Sequence, residues 1–148
     1  MPQPTPPPPL VRVITAAEAE PLLAEWRWLV PRTLAPLFIT RFGDWIFGAP
    51  DGSIWSLDML EGQLRVLAPS GAEYNARKRD PAWLDRELLA GWYDIAVGNG
   101  VVAGDDECIG WAVAPIVGGK LEKANLKTYS LGAYQAVMAQ LHRRLRGA

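Results

Sequence analysis

Apolar positions near the N-terminus recur at the spacing of an amphipathic helix. The stripe contains Ala19, Leu22, Leu23 and Trp26. Thr15 and Glu18 stand three residues apart just before it, which is the spacing of a capping box. The pattern predicts a short helix from Ala16 towards Arg27, with its apolar stripe against a sheet. Residues 1–9, which include the run PQPTPPPP, predict a disordered, semi-extended proline-rich tail.

From residue 37 the helical spacing gives way to short β-rich runs separated by turn residues. The runs 45–48, 53–58 and 63–67 predict three strands. Ala49-Pro50-Asp51-Gly52 is typical of a tight turn, since proline presets φ, aspartate caps the turn and glycine accepts a positive φ. These strands and turns together predict an antiparallel meander. The pattern leaves open where residues 37–42 pair and whether Gly43 forms a bulge.

The second half of the chain has several helix start signals. Ser70 and Glu73 form another capping box, and Asp80-Pro81 predicts the start of a longer helix that ends at Gly98-Asn99-Gly100. The stripe expected to be buried on that longer helix is Leu84, Leu88, Trp92 and Ile95. Residues 108–113 predict another strand.

Ser130 is expected to cap a final helix. Its predicted apolar face holds Tyr134, Val137, Met138, Leu141 and Leu145. Strands that cluster between helices favour an α+β fold, with an antiparallel meander packed against several helices in one domain over residues 10–148.

Length and charge narrow the function. A chain of 148 residues is long enough to form one domain without a cofactor or disulfide. Its 15 lysines and arginines against 16 aspartates and glutamates predict neither direct nucleic-acid binding nor membrane binding. A single cysteine, no signal-peptide pattern and no long apolar run predict a cytoplasmic protein.

Candidate chemistry is sparse. Cys108 and His142 could be imagined as a nucleophile and its base, but a buried structural thiol and a helix-end histidine are the expected roles. No paired spacing predicts a metal site, and no glycine-rich motif predicts a cofactor. Among the aspartates of the meander, only Asp58 has no evident turn role. These observations predict a protein without catalytic residues, cofactor or metal.

Two groups of short motifs resemble a bacterial domain family. The first group is Phe42-Gly43-Asp44-Trp45, Pro50-Asp51-Gly52-Ser53-Ile54-Trp55, Leu57-Asp58 and Leu60-Glu61-Gly62. The second group is Cys108-Ile109-Gly110, Pro115-Ile116-Val117-Gly118-Gly119, Asn125-Leu126 and Gln140-Leu141-His142. In order and spacing they are similar to the C-terminal domain of immunity proteins that neutralise type VI secretion DNase effectors. The resemblance implies a cytoplasmic inhibitor that binds a secreted toxin, with a nuclease as one candidate target.

A toxin-binding protein needs an exposed surface with aromatic and charged anchors. Trp45 and Trp55 lie on neighbouring hairpin arms, where each could fill the core or stand on the open face. The candidate partner-binding residues are Asp44, Trp45, Asp51, Trp55, Asp105, Asp106 and Glu107. The acidic run 105–107 is the best candidate for a basic nuclease cleft. The alternative is a general interaction module or homo-oligomer that pairs through the edge of the hairpin.

Overall fold

A computed structural model describes residues 6–147. Its larger sheet has five antiparallel strands in chain order. They are β1 (Val11–Val13), β2 (Ala35–Thr40), β3 (Trp45–Gly48), β4 (Ile54–Leu57) and β5 (Leu64–Ala68). The predicted meander is confirmed. The open pairing of residues 37–42 is resolved, because β2 lies between β1 and β3.

The turn between β2 and β3 answers the question about Gly43. The amide of Gly43 donates to the Thr40 carbonyl at 2.9 Å, and the Thr40 amide donates to the Asp44 carbonyl at 2.9 Å. Gly43 has a φ of 82°, so it is the left-handed last residue of a three-residue turn and forms a glycine bulge of the G1 type. A further irregularity between β2 and β3, a shift in register, lies between Pro36 and Phe38.

The central hairpin also corrects an expectation about self-association. Both β3 and β4 are paired on each side, so β1 and β5 are the edge strands. Self-association through the edge of the β3–β4 hairpin is therefore wrong for this fold. The Pro50-Asp51-Gly52 turn forms as predicted, with the Asp51 carboxylate accepting from the Ser53 amide at 2.9 Å.

A second antiparallel sheet consists of β6 (Glu107–Trp111) and β7 (Leu126–Ser130). The helices are α1 (Ala16–Leu23), α2 (Gly71–Arg77), α3 (Pro81–Leu88), α4 (Ala90–Gly98) and α5 (Leu131–Leu145). The α+β class is confirmed. Among residues 6–147 no helix has the length and apolar character needed to span a bilayer.

The helix predicted to run from Pro81 to Gly98 is two helices. Leu89 takes a left-handed conformation with φ of 60° and separates α3 from α4. Asp85 supports the break, because its carboxylate accepts from the Gly91 amide at 2.9 Å. The break turns α4, so Tyr93 is buried while Ile95 of the predicted stripe is exposed.

Helix α5 packs between the two sheets and α1, in the largest core cluster. Tyr134 and Met138 are buried as predicted, but Val137 and Leu145 are exposed, so the predicted face is only partly covered. The Ser130 side chain does not cap the helix, which corrects another expectation. Instead the Leu131 amide donates to the Asp106 carbonyl at 2.9 Å and joins α5 to the acidic run.

The proline-rich tail lies partly outside the described residues, since residues 1–5 are not described. Of the rest, the Pro9 carbonyl accepts from Arg41 Nε at 2.8 Å, and the Pro8 carbonyl accepts from the Tyr93 hydroxyl. These contacts hold the last residues of the tail on the domain.

Candidate functional site

A buried glutamine of α5 binds Trp26 and the Phe42–Trp45 motif. Gln135 is 0% exposed, and its Oε1 accepts from Trp26 Nε1 at 2.8 Å and from Trp45 Nε1 at 2.9 Å. Its Nε2 donates to the Gly43 carbonyl at 2.7 Å. Each polar atom is paired, as burial requires. The glutamine therefore holds α5, the short helical turn Ala24–Trp26 after α1 and the β2–β3 turn together.

Asp44 and Trp45 belong to this interior and not to a surface. They are 4% and 0% exposed, which corrects the expectation that they face a partner. The Asp44 carboxylate accepts from the Met59 amide at 2.8 Å, so it holds the β4–β5 turn. Burial, and secondarily the charge of Asp58, raises the pKa of Asp44 to about 7. Asp44 is a structural residue of the core.

The half-buried Asp58 and the buried His142 lie beside these residues. Asp58 Oδ1 accepts from the Glu61 amide at 2.6 Å, which gives this aspartate the turn role that the sequence did not show. His142 is 1% exposed, and its Nε2 lies 2.8 Å from the Met59 carbonyl. A Cβ on Gly62 would lie 2.4 Å from the imidazole ring, so only glycine fits there. His142 is packed as a core residue.

Cys108 is also buried, with 0% of its surface exposed. Burial raises the pKa of its thiol to about 12, and the nearby carboxylates of Asp44 and Glu107 add to the shift. No hydrogen bond joins Cys108 to His142 within residues 6–147. The two side chains therefore do not form the nucleophile–base pair considered from the sequence.

The burial of Cys108 predicts an unreactive thiol. A thiol of pKa about 12 is ionised in about one molecule in ten thousand near pH 8, and only the thiolate attacks a disulfide reagent. We expect the folded protein to react with a disulfide reagent at least about a hundredfold more slowly than the urea-unfolded chain. A spectroscopic thiol assay in both states measures this ratio. Equal rates would show that the thiol is accessible.

The exposed carboxylates gather in a groove at the N-terminal end of α5. The groove has a volume of about 610 Å³ and lies between β1, α1 and the loop before β6. Its charged lining residues are Arg12, Glu18, Asp105, Asp106 and Glu107. Four carboxylates thus face one guanidinium. We call this surface the acidic groove.

Two arginines fix the acidic run in place. Arg41 is 4% exposed, and its NH1 donates to Asp105 Oδ1 at 2.8 Å. Arg12 NH2 donates to the Asp105 carbonyl at 2.8 Å, and its NH1 bridges to Glu18 at 3.3 Å. The Arg41 guanidinium holds the pKa of Asp105 below its usual range. The loop is thereby held in one position relative to β1 and β2.

Asp106 and Glu107 remain available on this fixed loop. The Glu107 carboxylate accepts from the Gly104 amide at 3.0 Å, and the rest of it is exposed. The Asp106 side chain makes no hydrogen bond or ion pair with a described residue, while its backbone holds α5. An exposed carboxylate on a rigid loop can contact a positively charged group without ordering a flexible segment.

Asp51 and Trp55 lie on a different surface. They line a mainly apolar groove of about 410 Å³ at the turn that closes the far end of the β3–β4 hairpin. Their polar atoms bind locally, because Asp51 holds Ser53 and Trp55 Nε1 donates to Ser53 Oγ at 2.9 Å. Arg41, which holds the acidic run, precedes β3 at its other end. The predicted partner residues therefore do not form one continuous surface.

Sequence patterns missed Arg12, Glu18 and Arg41 as parts of the site. Glu18 was visible only as a helix cap, and nothing local distinguishes the two arginines from other surface cations. Their contribution depends on pairing with a loop more than sixty residues away along the chain. Within residues 6–147 no three side chains of His, Cys, Asp or Glu converge to hold a metal ion.

Comparison with known proteins gives information on the fold and none on the function. No protein-family model matches the chain, and no curated protein matches it. The chain is similar to the crystal structure of Atu4351 from Agrobacterium tumefaciens, with a TM-score of 0.59 and 11% sequence identity. The match covers 88% of this chain and 66% of Atu4351, so the chain spans slightly less than two thirds of that protein. The resemblance to immunity domains stays a prediction.

Proposed function

We propose that this protein is a non-catalytic binding protein that neutralises a secreted bacterial toxin by direct contact, and that the acidic groove is its recognition surface. The observation that carries the proposal is the exposed carboxylate set held by Arg12 and Arg41. The proposal also rests on the motif resemblance to type VI immunity domains. On this basis the protein acts in the cytoplasm, where an incoming effector would reach its target.

Charge explains how such a groove would select its partner. A toxin that acts on nucleic acid carries basic residues in its cleft, and carboxylates of opposite sign speed encounter with it and align it. The net charge of the whole chain is only -1, so the attraction is local to the groove. A specific complex of this kind buries about 800 Å² on each partner. Inhibition would come from covering the toxin's active site.

Asp106 offers a direct test because its side chain has no structural partner in the described residues. We expect Asp106→Lys to weaken binding to the cognate effector at least about tenfold, since a cation would then face the basic cleft. Glu61→Lys is the matched control. It makes the same charge change on an exposed residue of the β4–β5 turn, away from the acidic groove, and should bind as the wild type does.

The experiment takes its candidate effector from an effector gene next to this one in the genome and produces it as a catalytically inactive variant; a genome without such a gene counts against the proposal. Binding is measured by calorimetry, and protection is measured by survival of cells that express the active effector with each variant. Loss of both with Asp106→Lys and retention of both with Glu61→Lys supports the proposal. Full protection by Asp106→Lys places the interface elsewhere, and absence of binding by the wild type refutes toxin neutralisation.

A further inference from the structure

A second groove lies between α5 and the second sheet. It has a volume of about 300 Å³ and is mainly apolar. Trp111 and Tyr129 form part of one side, and Ala133, Val137 and Leu141 of α5 form the other. We call this surface the α5 groove. Val137 is 61% exposed although it belongs to the apolar face of its helix.

Exposed apolar side chains are most frequent in the C-terminal part of the sequence, and one of them, Val137, lines this groove. Ten large apolar residues are exposed in the described part of the chain, and six of them lie between residues 113 and 145. The six are Val113, Ile116, Val117, Leu121, Val137 and Leu145. Scattered exposed apolar residues need no explanation, but Val137 extends the apolar lining of the α5 groove to the surface, and a contiguous exposed apolar surface marks an interaction site.

The same part of the sequence is basic. Residues 108–148 contain six lysines and arginines and one carboxylate, Glu122, while residues 1–107 contain nine cations and fifteen carboxylates. The six cations are Lys120, Lys123, Lys127, Arg143, Arg144 and Arg146. None of them forms an ion pair with a described residue. The near-neutral net charge of the chain conceals this separation.

Two of these cations lie beside the groove itself. Lys127 is two residues from Tyr129 on β7, so both side chains are on the same face of the strand. Arg144 is three residues from Leu141 and seven from Val137, which places it on the same stripe of α5. The α5 groove thus has an apolar floor and positive charge at its margins.

We propose that the α5 groove binds an acidic amphipathic segment of a protein partner, with apolar side chains in the groove and carboxylates facing Lys127 and Arg144. The apolar stripe from Ala133 to Leu141 extends about 12 Å along α5, which matches about two turns of a bound helix. A concave apolar floor suits such a segment better than a flat bilayer. It also suits it better than nucleic acid, which would leave the apolar floor without a matching surface.

This surface is separate from the acidic groove. Leu131 and Gly132 of α5 line the acidic groove, whereas Ala133, Val137 and Leu141 line the α5 groove. The two surfaces also have opposite charge. The protein could therefore hold a basic and an acidic partner surface at the same time, and each can be tested without the other.

The test uses a synthetic helical peptide of about 15 residues, with leucines on one stripe and glutamates elsewhere. A matched peptide carries lysine in place of each glutamate. Fluorescence anisotropy with the full chain measures both affinities. We expect the acidic peptide to bind at least about tenfold tighter than the basic one, and its affinity to fall as salt rises.

Two pairs of variants locate the binding. Val137→Asp is expected to weaken binding of the acidic peptide at least about tenfold. Val13→Asp, at a valine of similar exposure on β1, should leave that affinity unchanged. Arg144→Glu is expected to weaken binding of the acidic peptide and to make its affinity less dependent on salt. Arg79→Glu, on another surface, should change neither quantity. Circular dichroism melting confirms that all four variants fold. Asp106→Lys should leave peptide affinity unaffected.

Several results overturn the proposal. They include no binding of the acidic peptide, equal binding of both peptides, or binding that Val137→Asp does not change. Sedimentation that shows a dimer abolished by Val137→Asp assigns the groove to a second copy of the chain instead. Binding to phosphatidylserine vesicles that Val137→Asp abolishes, without binding to the peptide, assigns it to a membrane surface.

Discussion

Replacing Gln135 by leucine is expected to lower the free energy of unfolding by about 4 kcal/mol. The substitution removes the acceptor of two tryptophan N–H groups and the donor to the Gly43 carbonyl, all within the core. Each buried polar group left without a partner costs about 1–3 kcal/mol, and leucine restores none of them. Because three segments meet at this side chain, the loss extends to α5 and to the β2–β3 turn.

Urea denaturation followed by circular dichroism measures the effect. Gln140→Leu is the control, because it makes the same chemical change on an exposed glutamine of the same helix. Its free energy of unfolding should stay within about 0.5 kcal/mol of the wild type. A similarly small loss for Gln135→Leu would mean that this network does not stabilise the fold.

Replacing Asp44 by asparagine is expected to change how stability depends on pH. The pKa of this carboxyl rises from 3.8 to about 7 in the folded protein, mainly because it is buried. Between these values the folded state keeps a proton that the unfolded state releases. The stability that the neutral carboxyl contributes is therefore complete below pH 3.8 and is lost as the pH rises through 7.

The shift of roughly three pKa units corresponds to about 4 kcal/mol across that range. Asparagine cannot ionise, so the free energy of unfolding of Asp44→Asn relative to the wild type should rise by about 4 kcal/mol between about pH 4 and about pH 8. Denaturation curves at several pH values give this difference. A difference that does not vary with pH would show that Asp44 titrates normally.

Asp51→Asn is the control for that experiment. Asp51 lies in the exposed turn after β3, and its hydrogen bonds to Ser53 lower the pKa of its carboxyl. The dependence of stability on pH therefore has the opposite sign to that of Asp44. The wild type should lose the contribution of Asp51 as the pH falls through that lowered pKa, and the asparagine variant should not. Any effect of Asp51→Asn should thus be confined to acid pH.

Helix α5 connects the core to both proposed surfaces. Gln135 and His142 anchor its inner face, the Asp106 carbonyl holds its first amide, and Val137 lies on its outer flank. A variant that loosens α5 should therefore affect the acidic groove and the α5 groove together. Surface variants such as Asp106→Lys and Val137→Asp affect one groove each, which separates loss of binding from loss of fold.

Local patterns predicted the elements whose signals are local. Thr15 and Ser70 cap their helices as predicted, with the amides of Glu18 and Glu73 donating to the hydroxyls at 3.1 Å. The turn at Asp51 also forms as predicted. The prediction of one long helix after Asp80 was wrong because apolar spacing continues across Leu89. The side-chain contact from Asp85 to Gly91 favours a break there.

Local patterns also predicted only part of the candidate site. The acidic run 105–107 could be found from charge, and the structure places it in an exposed groove. The sequence could not place Asp44 and Trp45 on the surface or in the core, because an aspartate and a tryptophan next to a turn are compatible with both. The charge separation between the two parts of the chain was available in the sequence, but the total net charge concealed it.

The sequence by itself determined the α+β class, the order of the strands β3, β4 and β5 and most helix starts, because caps, turns and periodicity act over a few neighbouring residues. Only the tertiary structure decided which polar residues are buried and which carboxylates are exposed. Gln135 reaches Trp26 and Gly43 across about ninety to more than a hundred residues of chain, and Arg41 reaches Asp105 across sixty-four. Such pairs form because a buried polar group needs a partner, and only the fold decides which groups come within reach of it.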